Sequence, residues 1–268
     1  MKYIDFHTHF YTQGRSAEAS AYLLKEGLAE PDEDGELKGL IKHMKINGIE
    51  MSVNLPVAMS PADAREVNLK AVEYNKLNNN VISLGTMHHN MACDAREEAE
   101  FLKDNGIRGI KMNPQELMFY PDERGMAAIY EACVDNGLFI LMHAGAGAET
   151  GFDKDKIFAH PKRFRTVIDA YPELKLVLAH MGGLNMWDEA REFLLGRKVY
   201  FDTAYTTIMP DDLFGEFIKI HGSDKVLFGS DFPWQRPSDI IKKIFICVSG
   251  QHDRDKIFYA NASAILSL

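Results

Sequence analysis

The sequence predicts an α/β protein, and within that class a closed (β/α)8 TIM barrel. Eight short apolar runs, near 3–9, 50–56, 81–88, 106–112, 138–143, 175–181, 198–203 and 225–231, alternate with amphipathic helical stretches. Strands that alternate with helices imply a parallel sheet. Runs such as LFILMH and KLVLAH are apolar throughout, as strands covered on both faces are. The chain has 268 residues, and one barrel of this kind uses about 250. A doubly wound sheet would more often carry a glycine-rich phosphate loop after its first strand; here that strand runs into His-Thr-His.

The elements follow in order. The first strand, YIDFHTHF, leads into residues 10–36, which interrupt the strand–helix rhythm. This segment contains an expected short helix from Ala17 to Leu24 and the acidic run Glu30–Asp34. Long loops after barrel strands lie on the face where active sites are built, so the segment reads either as a solvated surface loop or as a lid. Further on, Asn47-Gly48, Asn105-Gly106 and Asn136-Gly137 each stand just before a strand. Glycine there accepts the left-handed conformation that ends a helix. Asp94, with Glu97 three residues on, reads as a helix start, and Pro161 and Pro237 fit a first helical turn. No sharp change of composition divides the chain, so residues 1–268 are expected to form a single domain.

Composition narrows the function classes. At 46% hydrophobic and 26% charged residues the chain is neither disordered nor low-complexity. A net charge of −9 argues against nucleic acid and against an anionic membrane surface, since both demand clustered Lys and Arg. No apolar stretch approaches the roughly 18 residues of a membrane span, and the N-terminus lacks the pattern of a signal peptide. The three cysteines, Cys93, Cys133 and Cys247, are scattered and read as reduced thiols. A cytoplasmic protein acting on a small molecule is the expectation.

The chemistry lies at strand ends. Strand side chains alternate, so Asp5, His7 and His9 are expected on one side of the first strand. Two imidazoles at that spacing can grip one divalent metal. His143 ends the strand at 138–143, His180 the strand at 175–181, and Asp231 the strand at 225–231. In a closed barrel these groups converge on the mouth that holds His7 and His9. Imidazole with carboxylate suits zinc, and also manganese or iron.

Taken together, IDFHTHF, GIRGIKMNP, LFILMHAG, LVLAHMGG, VYFDTA and VLFGSDFPW resemble the amidohydrolase superfamily. More narrowly, the chain resembles the amidohydrolase-related family of TIM-barrel metal-dependent hydrolases, relatives of which include aminocarboxymuconate-semialdehyde decarboxylase. The resemblance implies that His7, His9, His143 and Asp231 ligate the main metal. His180 would be a ligand of a second metal or an acid/base beside the first. Asp231 would also accept the proton of the attacking water. Many members carry a lysine where Lys111 stands, with its amine carboxylated to bridge two metals. Lys111 therefore reads as a carbamate, as an ammonium that binds a substrate carboxylate, or as a structural ion pair. Relatives usually read Lys-x-His-Pro at this stretch; here the histidine is replaced by Asn113.

Weaker candidates surround these. His88, Trp234 and Arg236 are candidate pocket residues for substrate, as is Arg15, and Asp202 and Asp5 could each orient a metal-bound imidazole. His43, His160, His221 and His252 are expected to be solvated. The leading expectation is hydrolysis of a small, carboxylated lactone, amide or ester through a metal-activated water. Asp231, His180 and Lys111 are the catalytic candidates, and Zn2+ is the first choice of ion, as one or two ions. The alternative is a lyase that decarboxylates or hydrates a carboxylated ring or dienoate at the same site. A homodimer is the assembly that barrels of this kind suggest, although no interface can be named from the sequence.

Overall fold

The computed structural model describes residues 1–10, 35–77, 80–147 and 156–268. The expected helix from Ala17 to Leu24, the acidic run and Arg15 lie outside the described residues. Strands form where the apolar runs are: β1 (Ile4–Thr8), β2 (Met51–Asn54), β3 (Val81–Ser83), β4 (Gly85–Thr86), β5 (Gly109–Met112), β6 (Phe139–Met142), β7 (Leu176–Leu178), β8 (Tyr200–Asp202) and β9 (Val226–Leu227). The third expected strand is thus broken at Leu84 into β3 and β4. All strand pairings are parallel, in the order β1-β2-β3 and β4-β5-β6-β7-β8-β9. Backbone bonds join the last strand to the first: Phe6 N–H donates to Phe228 O at 2.7 Å, and Asp231 N–H to His7 O at 2.8 Å.

Among the described residues, eight helices cover the ring: α1 (Leu37–Asn47), α2 (Pro61–Lys76), α3 (Ala95–Asp104), α4 (Ala127–Asn136), α5 (Pro161–Ala170), α6 (Trp187–Phe193), α7 (Asp211–His221) and α8 (Pro237–Cys247). Gly48 and Gly137 end α1 and α4 in the left-handed region, at φ 67° and 68°, with their N–H groups turned back to the last carbonyls. Asp94 does precede α3, but its side chain makes no capping bond. Among the described residues no helix is long and apolar enough to cross a membrane.

Two apolar layers hold the barrel. Ile4, Phe6, Val53, Leu55, Leu84, Phe139, Leu141, Val177 and Leu227 fill its interior. A larger cluster, with Ile110, Met112, Ile140, Met142, Leu178, Phe201 and Phe228, packs the strands against the helices. The C-terminal helix α10 (Asn261–Leu266, after α9 at Gln251–Asp255) adds Ala262, Ile265 and Leu266 to the interior layer. Asn261 Nδ2 donates to the carbonyls of Ser223 and Val226, which places α10 at the strand-start end, away from the histidines.

The expectation of a solvated His221 is overturned. It is buried, stacked on Phe201 at 4.0 Å between ring centroids, donates from Nε2 to Val199 O and accepts Gly196 N–H at Nδ1. Both partners require a neutral ring, and burial lowers its pKa to about 4. His43 and His160 are half-buried, His160 capping α5, while His252 is exposed as expected. A folded-state pKa below the unfolded value means that stability from neutral His221 is present above about pH 6.5 and is lost as pH falls toward 4. His221→Gln should therefore lower the urea midpoint at pH 7 and shrink its decline between pH 6.5 and 4.5. A decline as steep as that of the parent protein would contradict this role.

Candidate active site

The strand ends converge as a closed barrel demands, but β1 does so through an irregularity. Ile4 and Asp5 lie opposite Met51 and Ser52, whereas Thr8 lies opposite Asn54, so β1 spends one extra residue between Asp5 and Thr8. Such a bulge re-aims the side chains beyond it. Ile4 and Phe6 therefore belong to the interior layer, while His7 and His9 turn toward Asp202 and Asp231. Asp5 does not share their face. Its carboxylate accepts Ser230 N–H at 2.8 Å and Ser230 Oγ–H at 2.6 Å, and burial raises its pKa to about 7. The expectation that Asp5 orients an imidazole is thus corrected: it ties β1 to the segment that presents Asp231.

Asp202 does orient an imidazole. Its Oδ2 accepts from His7 Nδ1 at 2.8 Å, and its Oδ1 accepts the N–H groups of His180 and Ala204. His9 Nδ1 donates to Leu55 O at 3.1 Å. With both Nδ1 atoms carrying the proton, both Nε2 atoms present bare lone pairs. These two nitrogens are 3.2 Å apart, and each is 3.4 Å from Asp231 Oδ1. Three acceptor atoms face one another with no proton to share. Burial opposes the charge on Asp231; positive charge at this cluster, on an imidazole or on a cation among the three atoms, is what holds the carboxyl far below the ordinary range.

That donor set fits a divalent metal, which takes imidazole nitrogen and carboxylate oxygen together. Among the described residues, His7, His9 and Asp231 form the group whose ligand atoms all lie within 4.8 Å of one another. The backbone is arranged around it. Asp231 and His180 adopt left-handed φ of 68° and 59°, which costs a non-glycine residue about 1–2 kcal/mol. Gly229 passes so close to His7 that a Cβ there would stand 2.7 Å from His7 Cβ.

His143 and His180 form a second layer. His180 Nδ1 donates to Ala204 O at 3.0 Å, so its Nε2 accepts from His143 Nδ1 at 3.1 Å. Both ring nitrogens of His180 are thereby engaged, with Nδ1 also 3.8 Å from Asp231 Oδ2. His143 stands outside the tight three-residue group, but its Nε2 is buried without a hydrogen-bond partner among the described residues, as a ligand nitrogen would be. Burial keeps both rings neutral, with the His180 pKa near 4.

Lys111, next to last in β5, is buried. Burial lowers its pKa to about 8, against the attraction of Asp202, Asp231 and Glu116. No hydrogen bond or ion pair within 4 Å holds its Nζ among the described residues, so the structural ion pair is not formed among them. The remaining candidates lie on the rim. His88 is buried beyond β4, accepts Asn90 N–H and lies tilted against His89 with ring centroids 4.2 Å apart, and burial lowers its pKa. Trp234, half-buried, donates its backbone N–H to Asp231 O at 2.8 Å, and Arg236, exposed, occupies the N-cap position of α8 without a side-chain capping bond.

Two residues near this centre escaped the sequence reading. Tyr205 follows β8 with φ 58°, and its phenol is pushed up in pKa by burial and by Asp231. Glu116 follows β5 and exchanges charge interactions with Lys111. Neither stands at a strand end or in a paired spacing, so no periodic signal marks them.

A parallel barrel that gathers two histidines and an aspartate at the ends of its first and last strands defines a TIM-barrel, metal-dependent enzyme. A family model described as amidohydrolase matches residues 4–268, and the chain belongs to that family. Among solved structures, 5-carboxyvanillate decarboxylase from Sphingomonas paucimobilis is similar at 18% identity and a TM-score of 0.76, over 100% of this chain and 99% of the other. The 5-carboxyvanillate decarboxylase from Novosphingobium aromaticivorans, complexed with manganese, aligns at 16% identity and TM-score 0.73, over 99% and 96%. A probable 2-pyrone-4,6-dicarboxylic acid hydrolase from Acinetobacter baumannii aligns at 15% identity and TM-score 0.69, over 100% of each chain. At these identities the likeness is one of fold. No curated protein matches the sequence.

The Asp202–His7 bond makes a direct prediction. Replacing a group that orients a metal-bound imidazole lowers metal affinity about 10–100-fold. Asp202→Asn should do so in a competition titration against a chelator, while leaving the far-ultraviolet dichroism unchanged. An unaltered affinity would show that Asp202 does not set the His7 tautomer.

Proposed function

We propose that this chain is a divalent-metal-dependent lyase that removes carbon dioxide, without oxidation, from a small carboxylated ring. The observation that carries the reading is Lys111: a buried cation without a hydrogen bond among the described residues, attracted by the acidic groups of a centre made of acceptors. A substrate carboxylate supplies the partner that Lys111 lacks. Two of the structures compared above are decarboxylases, which moves the weight from hydrolysis, the leading expectation from the sequence, to its alternative.

His7, His9 and Asp231 would hold the ion, with His143 Nε2 as the further candidate ligand. When bound, the ion supplies Lewis acidity toward the oxygens of the substrate. Manganese and zinc both suit these donors, so zinc keeps no preference over manganese. Lys111 pairs with the substrate carboxylate or, if carboxylated, joins the ligands. The engagement of both His180 nitrogens favours a proton-handling role over ligation of a second metal. In the reaction the bond from ring carbon to carboxylate breaks, its electron pair stays on the ring carbon, and that carbon takes a proton. Asp231, ionised in the resting site, picks up a proton from an acidic substrate hydroxyl and passes it to carbon.

Hydrolysis of a small carboxylated lactone, amide or ester is the second reading. An ionised Asp231 beside the ligand nitrogens suits acceptance of a proton from water, and one compared structure is a probable hydrolase of a pyrone dicarboxylic acid. His88, Trp234 and Arg236 remain proposed substrate contacts on either reading.

Carbon dioxide release from a panel of hydroxylated aromatic acids, against opening of a lactone panel, separates the two. Release from the acids with manganese or zinc added, abolished by chelator, is the expected result; lactone opening alone would establish the hydrolase. Asp231→Asn should cut kcat by at least about a thousandfold, the combined scale of lost proton transfer and a weakened ligand. Lys111→Met should raise KM by about tenfold or more, as loss of a charged partner does. A KM unchanged in Lys111→Met would remove the carboxylate-binding role.

A further inference from the structure

We propose that Ser230 is a positioning residue for the metal centre: its hydroxyl draws together the two ends of the turn that aims the Asp231 carboxylate at His7 and His9. The inference rests on the proposed ligand set of His7, His9 and Asp231, and it is independent of the choice between decarboxylation and hydrolysis.

β9 ends at Leu227, yet the chain beyond it stays bonded to β1. Asp231 N–H donates to His7 O at 2.8 Å, and His9 N–H donates to Phe232 O at 2.7 Å. Thr8 and Phe232 lie opposite each other as a parallel bridge. One residue earlier, Asp5 accepts Ser230 N–H at Oδ1 and the Ser230 hydroxyl at Oδ2, and its Oδ1 also accepts His7 N–H at 3.4 Å. All three proposed ligands therefore hang on one backbone seam, and residues 230–232 form its far side.

Within that tripeptide the Ser230 hydroxyl works in both directions. It donates to Asp5 Oδ2 at 2.6 Å and accepts Phe232 N–H at 3.0 Å. Ser230, Asp5 and Phe232 are all fully buried. Losing the hydroxyl would leave a carboxylate oxygen and an N–H without these partners, away from water. The bond to Phe232 N–H reaches across Asp231 and closes the turn around it. Asp231 takes φ 68° there, a region that a Cβ disfavours. In this turn Asp231 Oδ1 stands 3.4 Å from both His7 Nε2 and His9 Nε2. Without the hydroxyl, the turn is free to relax toward ordinary φ and to swing the carboxylate away. Asp202 acts elsewhere in the centre, through the His7 ring, so the two positioning effects are separable.

Zinc affinity, measured by competition with a chromophoric chelator, tests this without turnover. Ser230→Ala should weaken zinc binding about tenfold or more, the scale of a lost orienting partner. In an Asp231→Ala background, where no carboxylate remains to be aimed, adding Ser230→Ala should change the affinity by less than about twofold. Asp202→Asn, added to that same background, should still weaken binding, because it acts on His7. A role confined to stability would lower the unfolding midpoint without this coupling to Asp231. Should Ser230→Ala fail to fold, Asp5→Asn runs through the same cycle, since it replaces one of the two acceptors that face Ser230 by a donor. The variant with a parental far-ultraviolet spectrum decides. Equal weakening with and without the Asp231 carboxylate, or parental affinity in a folded variant, overturns the role of Ser230. Parental affinity in Asp231→Ala rejects instead the ligand set, and the inference with it.

Discussion

The site depends on one constraint: the Nδ1 protons of His7 and His9 are committed to acceptors behind them. Asp202 takes the first and the Leu55 carbonyl the second. Each commitment forces the opposite nitrogen to be an acceptor. The resulting crowd of two lone pairs and the Asp231 carboxylate is unfavourable alone and favourable around a cation. Burial strengthens both statements, since water is not there to relieve the repulsion. Asp202 also fixes the backbone of His180, so one buried carboxylate organises two strand ends at once.

The barrel makes this possible through its seam. The first and last strands meet by backbone bonds, and Asp5 clamps Ser230 one residue ahead of Asp231. The bulge in β1 separates two duties within six residues, core packing by Ile4 and Phe6 and the turning of His7 and His9 toward Asp231. Gly229 leaves the space that His7 needs. Left-handed backbone at His180 and Asp231 is sustained because neighbouring bonds determine it, including the Asp202 bond to His180 N–H and the Asp231 N–H bond to His7 O.

Much of this was legible in the sequence, for reasons that can be named. Continuous apolar runs of strand length, several of which give way to His, Asp or Lys, encode both the parallel sheet and the side on which its chemistry collects. The Asn-Gly stops at residues 48 and 137 follow directly from the left-handed φ that a helix end requires. The face of Asp5 was not legible, because period-two alternation assumes an unbroken strand and a bulge leaves no mark in the residue pattern. Nor was the burial of His221, whose ring is held by the Val199 carbonyl and the Gly196 N–H from another part of the chain. Glu116 and Tyr205 were invisible for a related reason: their proximity to Lys111 and Asp231 arises from loops, where no period applies. Choice between hydrolysis and decarboxylation was equally beyond the ligand pattern, which serves both.

Anomalous diffraction from crystals grown with manganese tests the central claim most directly. The account predicts one strong peak bonded to His7 Nε2, His9 Nε2 and Asp231 Oδ1, at distances of about 2.0–2.3 Å. A saturated crystal with its peak elsewhere, or with those three atoms unliganded, would contradict it.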